Sequence, residues 1–234
     1  MRRETTNVLL VLVGGALVKI TLDGTYLRYV KPTVQPFVLT AGIVIIALAA
    51  VAIVRDVVAA PVDHGHHHIG RWAWLLMLPV LTIFLIAPPA LGADTVLRAG
   101  NRTAPSIAQQ SSAAFPPLPR DGVVPMSMSE FITRSVWDTS NSLDDRTVAL
   151  TGFVVHGNGF DYVARLVITC CAADATPLRV VLTGQLATRL PNDQWVQVTG
   201  RLRHGSATTA NGYTPTLTVV SLTTVTAPAD PYEH

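Results

Sequence analysis

Apolar residues run in long unbroken blocks up to about residue 93 and in short, alternating runs after residue 147. The first block, NVLLVLVGGALVKITL from Asn7 to Leu22, is short against the ~20 residues a membrane-crossing helix needs, and Tyr26, Leu27 and Tyr29 extend it weakly. Lys19 and the tyrosines can snorkel toward the interface. The second block, FVLTAGIVIIALAAVAIV from Phe37 to Val54, carries no charge and is followed at once by Arg55 and Asp56. The third, WAWLLMLPVLTIFLIAPPALGA from Trp72 to Ala93, opens on Trp72 and Trp74, where an interfacial aromatic belt would lie. Pro79, Pro88 and Pro89 predict a kink or an early end there, which a helical bundle can tolerate by satisfying the freed carbonyls. Three such blocks argue against the core helices of a water-soluble protein and predict about three transmembrane helices in residues 1–93. Arg2 and Arg3 would suit a signal peptide, but no small-residue cleavage site follows Leu22 before the charged stretch 23–31, so the first block reads as an uncleaved span.

Residues 94–125 turn polar and proline-rich, with APSIAQQSSAAFPPLPRDG at their centre, which predicts an extended linker. Ser127-Met128-Ser129-Glu130 then reads as a capping box, with Ser127 accepting from the backbone and Glu130 reaching back. Phe131, Ile132, Ser135 and Val136 follow at helical spacing, predicting a short amphipathic helix through about Trp137. From Thr147 the period changes. TVALTGFVVHG, FDYVARLVITCCA, PLRVVLTG, QWVQVTGRLRHG and TPTLTVVSLTTVTA are five β-rich runs separated by Gly, Asn, Asp and Pro. Trp195 to Val198 alternates cleanly, whereas Val148, Leu150 and Phe153 do so only in part. Gly152 and Gly200 offer bulge or bend positions. The expected fold class is therefore α + β: N-terminal transmembrane helices, then residues 126–234 as a small five-stranded barrel of OB type with one flanking helix. A β-sandwich is the competing architecture.

Flanking cations set the expected orientation. With Arg2, Arg3, Arg55 and Arg71 inside, three spans leave the C-terminal domain on the extracytoplasmic side of a cell membrane, and two spans would reverse this. The small residues Gly14, Gly15 and Gly42 would let these helices pack closely against a partner. Composition agrees with an anchored protein: 49% of residues are hydrophobic and 14% charged, against about 25% charged in ordinary soluble chains. A net charge of +2 and the lack of interleaved cations and aromatics in the strands exclude nucleic acid as a partner.

Two cysteines, Cys170 and Cys171, cannot build a disulfide framework, so their role is local chemistry. On a continuous strand they would point to opposite faces, but an ending at Ala172 and Ala173 would let Asp174 fold back toward a thiol. A soft-metal or redox site follows, with thiolate and carboxylate as ligands; four zinc ligands would need His156, His204 or another chain as well. Burial as a small hydrophobe is the competing fate of either cysteine. The second cluster is Asp63-His64-Gly65-His66-His67-His68, between the second and third blocks, where His64, His66, His67 and His68 could wrap zinc, nickel or copper. No Gly-x-Ser-x-Gly, Gly-rich phosphate loop or His-Glu-x-x-His is present, so no enzyme class is indicated.

RLVITCCAADATPL, preceded by VALTGFV and followed by WVQVTGRL and PADPY, resembles the YcgQ-like family of bacterial membrane proteins. The membrane half is similar in layout, with YLRYVKP after the first block, a His-rich loop and a proline-containing block ending PPALGA. The resemblance implies a membrane anchor with a C-terminal β domain, working in the bilayer as accessory subunit beside a separate polytopic permease for a metal ion or small solute. It carries over Cys170, Cys171 and Asp174 as metal positions, with zinc or another transition metal as cofactor, and Arg165 as a binding residue. The alternative is a membrane-tethered thiol redox or metal-handling protein using Cys170 and Cys171.

Overall fold

A computed structural model describes residues 3–58, 89–100, 115–119, 121–184 and 190–234. Two units emerge, Met1–Pro89 and Ala90–His234. In the first, helix α1 (Arg3–Leu22) and helix α2 (Gln35–Val58) are joined by two single 3-10 turns. Among the described residues one helical stretch, Pro32–Val58, is long and apolar enough to cross a membrane, with a mean hydropathy of 3.0 over its most apolar window. The apolar part of α1, Thr6–Leu22, is shorter, as its sequence implies. Most of the third apolar block, and all of the histidine loop, lie outside the described residues.

The two helices use their glycines on each other. A side chain at Gly14 would meet Ile46 at 2.7 Å and the Gly42 carbonyl at 2.9 Å, and one at Gly42 would meet Val18 at 2.9 Å. Only glycine permits so close an approach. Among the described residues a side chain at Gly15 would meet nothing within 4 Å, so this glycine is not used in the contact between α1 and α2. The Asn7 amide donates to Asp56 at 3.1 Å, tying the start of α1 to the end of α2.

The second unit holds helix α3 (Ala93–Arg98), strand β1 (Val123–Pro125), helix α4 (Met128–Trp137) and strands β2 (Thr147–Gly157), β3 (Phe160–Val167), β4 (Thr176–Thr183), β5 (Trp195–Leu202), β6 (Thr216–Thr224) and β7 (Tyr232–Glu233). The five β-rich runs become β2 to β6, with β3 stopping at Val167, several residues short of the end of its run. The sheet has seven strands rather than five. The extra two, β1 and β7, are three and two residues long and add in parallel to β2 and β3, too short to carry an alternating pattern. Pairing among the long strands returns on itself: β2 pairs with β3 and β5, β3 with β4, β4 with β6, and β6 with β5.

Two apolar clusters form because β2 and β3 are covered on both faces. One contains Val148, Leu150, Val154, Val163, Val180, Val198 and Leu217, closed by Met128, Phe131 and Ile132 of α4. The other holds Phe153, Val155, Tyr162, Leu166 and Ile168 under Ala93 and Val96 of α3 and Tyr232 of β7. Phe153 breaks the alternation of β2 for this reason: it belongs to the second cluster, while Gly152 occupies the inward position between Leu150 and Val154. The stretch expected as linker contributes at both ends, through α3, through β1, and through Leu118, which packs on the first cluster.

Half of the expected capping box is present. Ser127 Oγ accepts from the Glu130 backbone N–H at 3.1 Å. Glu130 does not reach back; its carboxylate accepts from Arg134 Nε at 2.9 Å instead. The first-turn N–H groups of Met128 and Ser129 donate to the carboxylate of Glu233, at 2.8 and 2.9 Å. A residue more than a hundred positions away thus completes the cap.

Candidate functional site

Strand β3 ends at Val167, and the chain turns through Ile168 to Ala175 before β4 begins. Ile168 is buried and its N–H donates to the Glu233 carbonyl at 3.1 Å, so the turn is anchored where β7 joins β3. Beyond it Thr169 and Cys170 bend outward, Cys171 is extended, and Ala172–Asp174 forms a single 3-10 turn. The expected strand ending at Ala172 and Ala173 is therefore present, shifted earlier by several residues. Asp174 folds back as expected: its two carboxylate oxygens accept the backbone N–H groups of Thr169 and Cys170, each at 2.9 Å.

This geometry brings three ligand types together. The Cys170 and Cys171 sulfurs lie 3.6 Å apart, and both sulfurs and an Asp174 oxygen fall within 4.8 Å of one another. Both cysteines are free thiols, Cys170 exposed and Cys171 partly so. Burial of either as a small hydrophobe is not what the fold does with them. Two sulfurs bound at ~2.3 Å to one tetrahedral ion would be about 3.8 Å apart, so the observed spacing needs little adjustment. The hydrogen bond to Asp174, and after it the neighbouring Cys171, push the Cys170 thiol up to about 11. Burial opposes ionisation of Asp174, yet the N–H groups of Thr169 and Cys170 outweigh it and hold the carboxyl below its ordinary 3.8. Without a cation the site therefore keeps an ionised carboxylate beside a protonated thiol.

The other residues named from the sequence are not brought to this turn. Arg165 directs its guanidinium to the carbonyls of Asp230 and Tyr232, at 3.2 and 3.4 Å, and over the Trp195 ring. It braces the C-terminal segment. His204 pairs with Asp144 at 3.1 Å. His156 has both ring nitrogens engaged, Nδ1 with Asp161 and Nε2 with the Leu190 carbonyl, each at 2.6 Å. Neither histidine supplies the fourth ligand. His64, His66, His67 and His68 lie outside the described residues. Glu233 is the residue that sequence reasoning missed; an acid near the end of PADPYEH has no spacing to mark it.

His156 has a testable consequence. The Leu190 carbonyl, and then Asp161, raise its pKa above the ordinary 6.5, because both favour the ring with two N–H donors. A raised folded-state pKa contributes stability that is complete below the unfolded value and is lost as pH rises through the folded one. The thermal midpoint of the β-rich unit is expected to fall as pH rises from about 6.5 through the raised His156 pKa, and His156→Gln to flatten that slope. An unchanged slope in the variant would assign the dependence elsewhere.

Residues 127–234, from the cap of α4 to the C-terminus, match the DUF1980 C-terminal domain, an uncharacterised-domain family. The match spans the cysteine turn, the strands β2 to β7 and Glu233, and leaves α1 and α2 outside it. Among curated proteins and among solved structures nothing matches the chain.

Proposed function

We propose that this protein is a membrane-anchored accessory subunit of a permease, whose C-terminal domain captures a thiophilic transition-metal ion, zinc being the type case, at Cys170, Cys171 and Asp174. The observation that carries the metal reading is the gathering of two sulfurs and a carboxylate oxygen within 4.8 Å in one accessible turn. Thiolates select soft or borderline ions, and three protein ligands leave a tetrahedral ion one open position. An open, exposed site suits an ion that is taken up and handed on, whereas a structural zinc is closed by four ligands. Pro32–Val58 supports the anchor. The permease partner rests on the resemblance in sequence, and the extracytoplasmic placement of the domain on the flanking arginines. The returning pairing of β2 to β6, with β4 and β6 parallel, supports reading the sheet as a small OB-like barrel, which would present the turn on a rigid frame.

The test is a titration of the full chain in detergent with Zn²⁺, and with Co²⁺ as a spectroscopic stand-in whose thiolate charge-transfer band reports sulfur ligation. One equivalent with that band is expected, lost in a Cys171→Ser, Asp174→Asn double variant and kept when the four loop histidines are changed to alanine. Full retention by the double variant overturns the site. A second reading, a tethered thiol redox protein, draws on the same 3.6 Å sulfur separation. It predicts reversible closure of a Cys170–Cys171 disulfide in a glutathione buffer and no cobalt–thiolate band.

A further inference from the structure

On the β3–β4 surface, a cleft of about 360 Å³ is lined by Asn158, Phe160, Tyr162, Arg179, Thr214 and Thr216, among others. Its distinctive member is Arg179. This side chain is only 7% exposed, yet it makes no hydrogen bond or ion pair among the described residues; its neighbour is the Tyr162 ring, 5.8 Å from the guanidinium carbon. The other buried arginine of this unit is partnered at all three nitrogens: Arg134 donates to Glu130, Ser142 and the Pro116 carbonyl and lies over Phe115. A buried guanidinium with five donors and no acceptor is costly, and proteins rarely keep one without a counter-group. No Arg179 nitrogen is fully buried without a partner, Arg179 lines the cleft, and no carboxylate lines it among the described residues.

The geometry points to a binding site in this cleft for a small organic anion, whose carboxylate or phosphate head pairs with Arg179 and whose flat apolar body packs on Phe160 and Tyr162. Residue placement fits that ligand. Arg179 stands opposite Ala164 on β3, so no bulky side chain in that register position blocks its fork. Phe160 is 56% exposed at the cleft, an aromatic face without a cover, set edge-on to Tyr162 with ring centroids 6.3 Å apart. Asn158, at the tip of the β2–β3 hairpin, and the hydroxyls of Thr214 and Thr216 supply neutral donors around the head. A planar two-oxygen head matches a guanidinium bidentately, and burial strengthens the pair. The cleft volume lies at the lower end of the range for small-molecule sites, which favours a ligand of about one ring. This site is separate from the cysteine turn in composition and chemistry, and it stands whether or not that turn binds metal.

The probes are benzoate, phenyl phosphate and the neutral isostere benzamide, titrated into the full chain in detergent and followed by calorimetry and ligand-observed NMR. Binding of benzoate or phenyl phosphate is expected, with benzamide at least tenfold weaker; whichever anion binds tighter identifies the head group. Arg179→Met should weaken the anion at least tenfold, and Arg179→Lys less. Should Arg179→Met fail to fold, Phe160→Ala, at an exposed position, remains a test through an expected loss of several-fold. The proposal is overturned if neither anion binds, if benzamide binds as well as benzoate, or if both the Arg179 and the Phe160 variants bind as the parent does.

Discussion

Replacing Glu233 with alanine is expected to destabilise the β-rich unit by about 3 kcal/mol, because charge-assisted hydrogen bonds contribute roughly 1.5–3 kcal/mol and their loss leaves donors unmet. The carboxylate takes the N–H groups of both Met128 and Ser129, and Met128 is 1% exposed, so water cannot easily replace it there. A negative group at the start of α4 also complements the helix dipole. Glu233→Gln keeps one acceptor oxygen and loses the charge, so about half the effect is expected. The measurement is amide hydrogen exchange on the full chain, read as opening free energies for β2 and α4. A change below about 0.5 kcal/mol would show that the cap is dispensable. Because the Glu233 backbone also anchors Ile168, the same variant should weaken the metal binding proposed for the cysteine turn without removing a ligand.

Gly152→Ala is expected to cost a similar amount, about 3 kcal/mol, for a different reason: overpacking a site whose neighbour is backbone. An added Cβ would stand 2.5 Å from the Ala164 carbonyl oxygen and 2.9 Å from Val163 Cγ2. Gly152 lies one residue before β2 passes from β5 to β3: Gly152 is opposite Val196, and Phe153 is opposite both Trp195 and Ala164. The strand can bend there because nothing but hydrogen stands between it and the next backbone. Hydrogen exchange should show the loss across β2, β3 and β5 together, since the bend joins their pairings. Retention of parental protection in all three would mean that the strands can separate by about an ångström at little cost.

The route from sequence to structure was uneven, and the reasons are physical. The long strands announced themselves through β-branched runs broken by Gly, Asn and Pro, and Trp195 to Val198 alternates because β5 has one buried face. Phe153 misled because β2 is covered on both faces beyond Gly152, so period two no longer separates inside from outside. Asp174 could be expected to turn toward the thiols because the residues involved are four apart. Glu130 does not reach back to the Ser127 N–H because Arg134, one turn further along the same helix, takes its carboxylate, and the neighbouring N–H groups of Met128 and Ser129 are met by the distant Glu233 instead.

What the sequence by itself determined is whatever depends on near neighbours and on composition: an apolar helix long enough for a bilayer, five strands, the Ser127 cap, and a cysteine pair that comes with its own carboxylate. Tertiary structure alone decided the remainder. It set Gly14 against Gly42, brought Glu233 to the start of α4, engaged both nitrogens of His156, and left Arg179 buried beside an open cleft. Each of these joins groups that chain spacing does not relate, and only the packing of whole elements selects which polar group is met and which is left for a ligand.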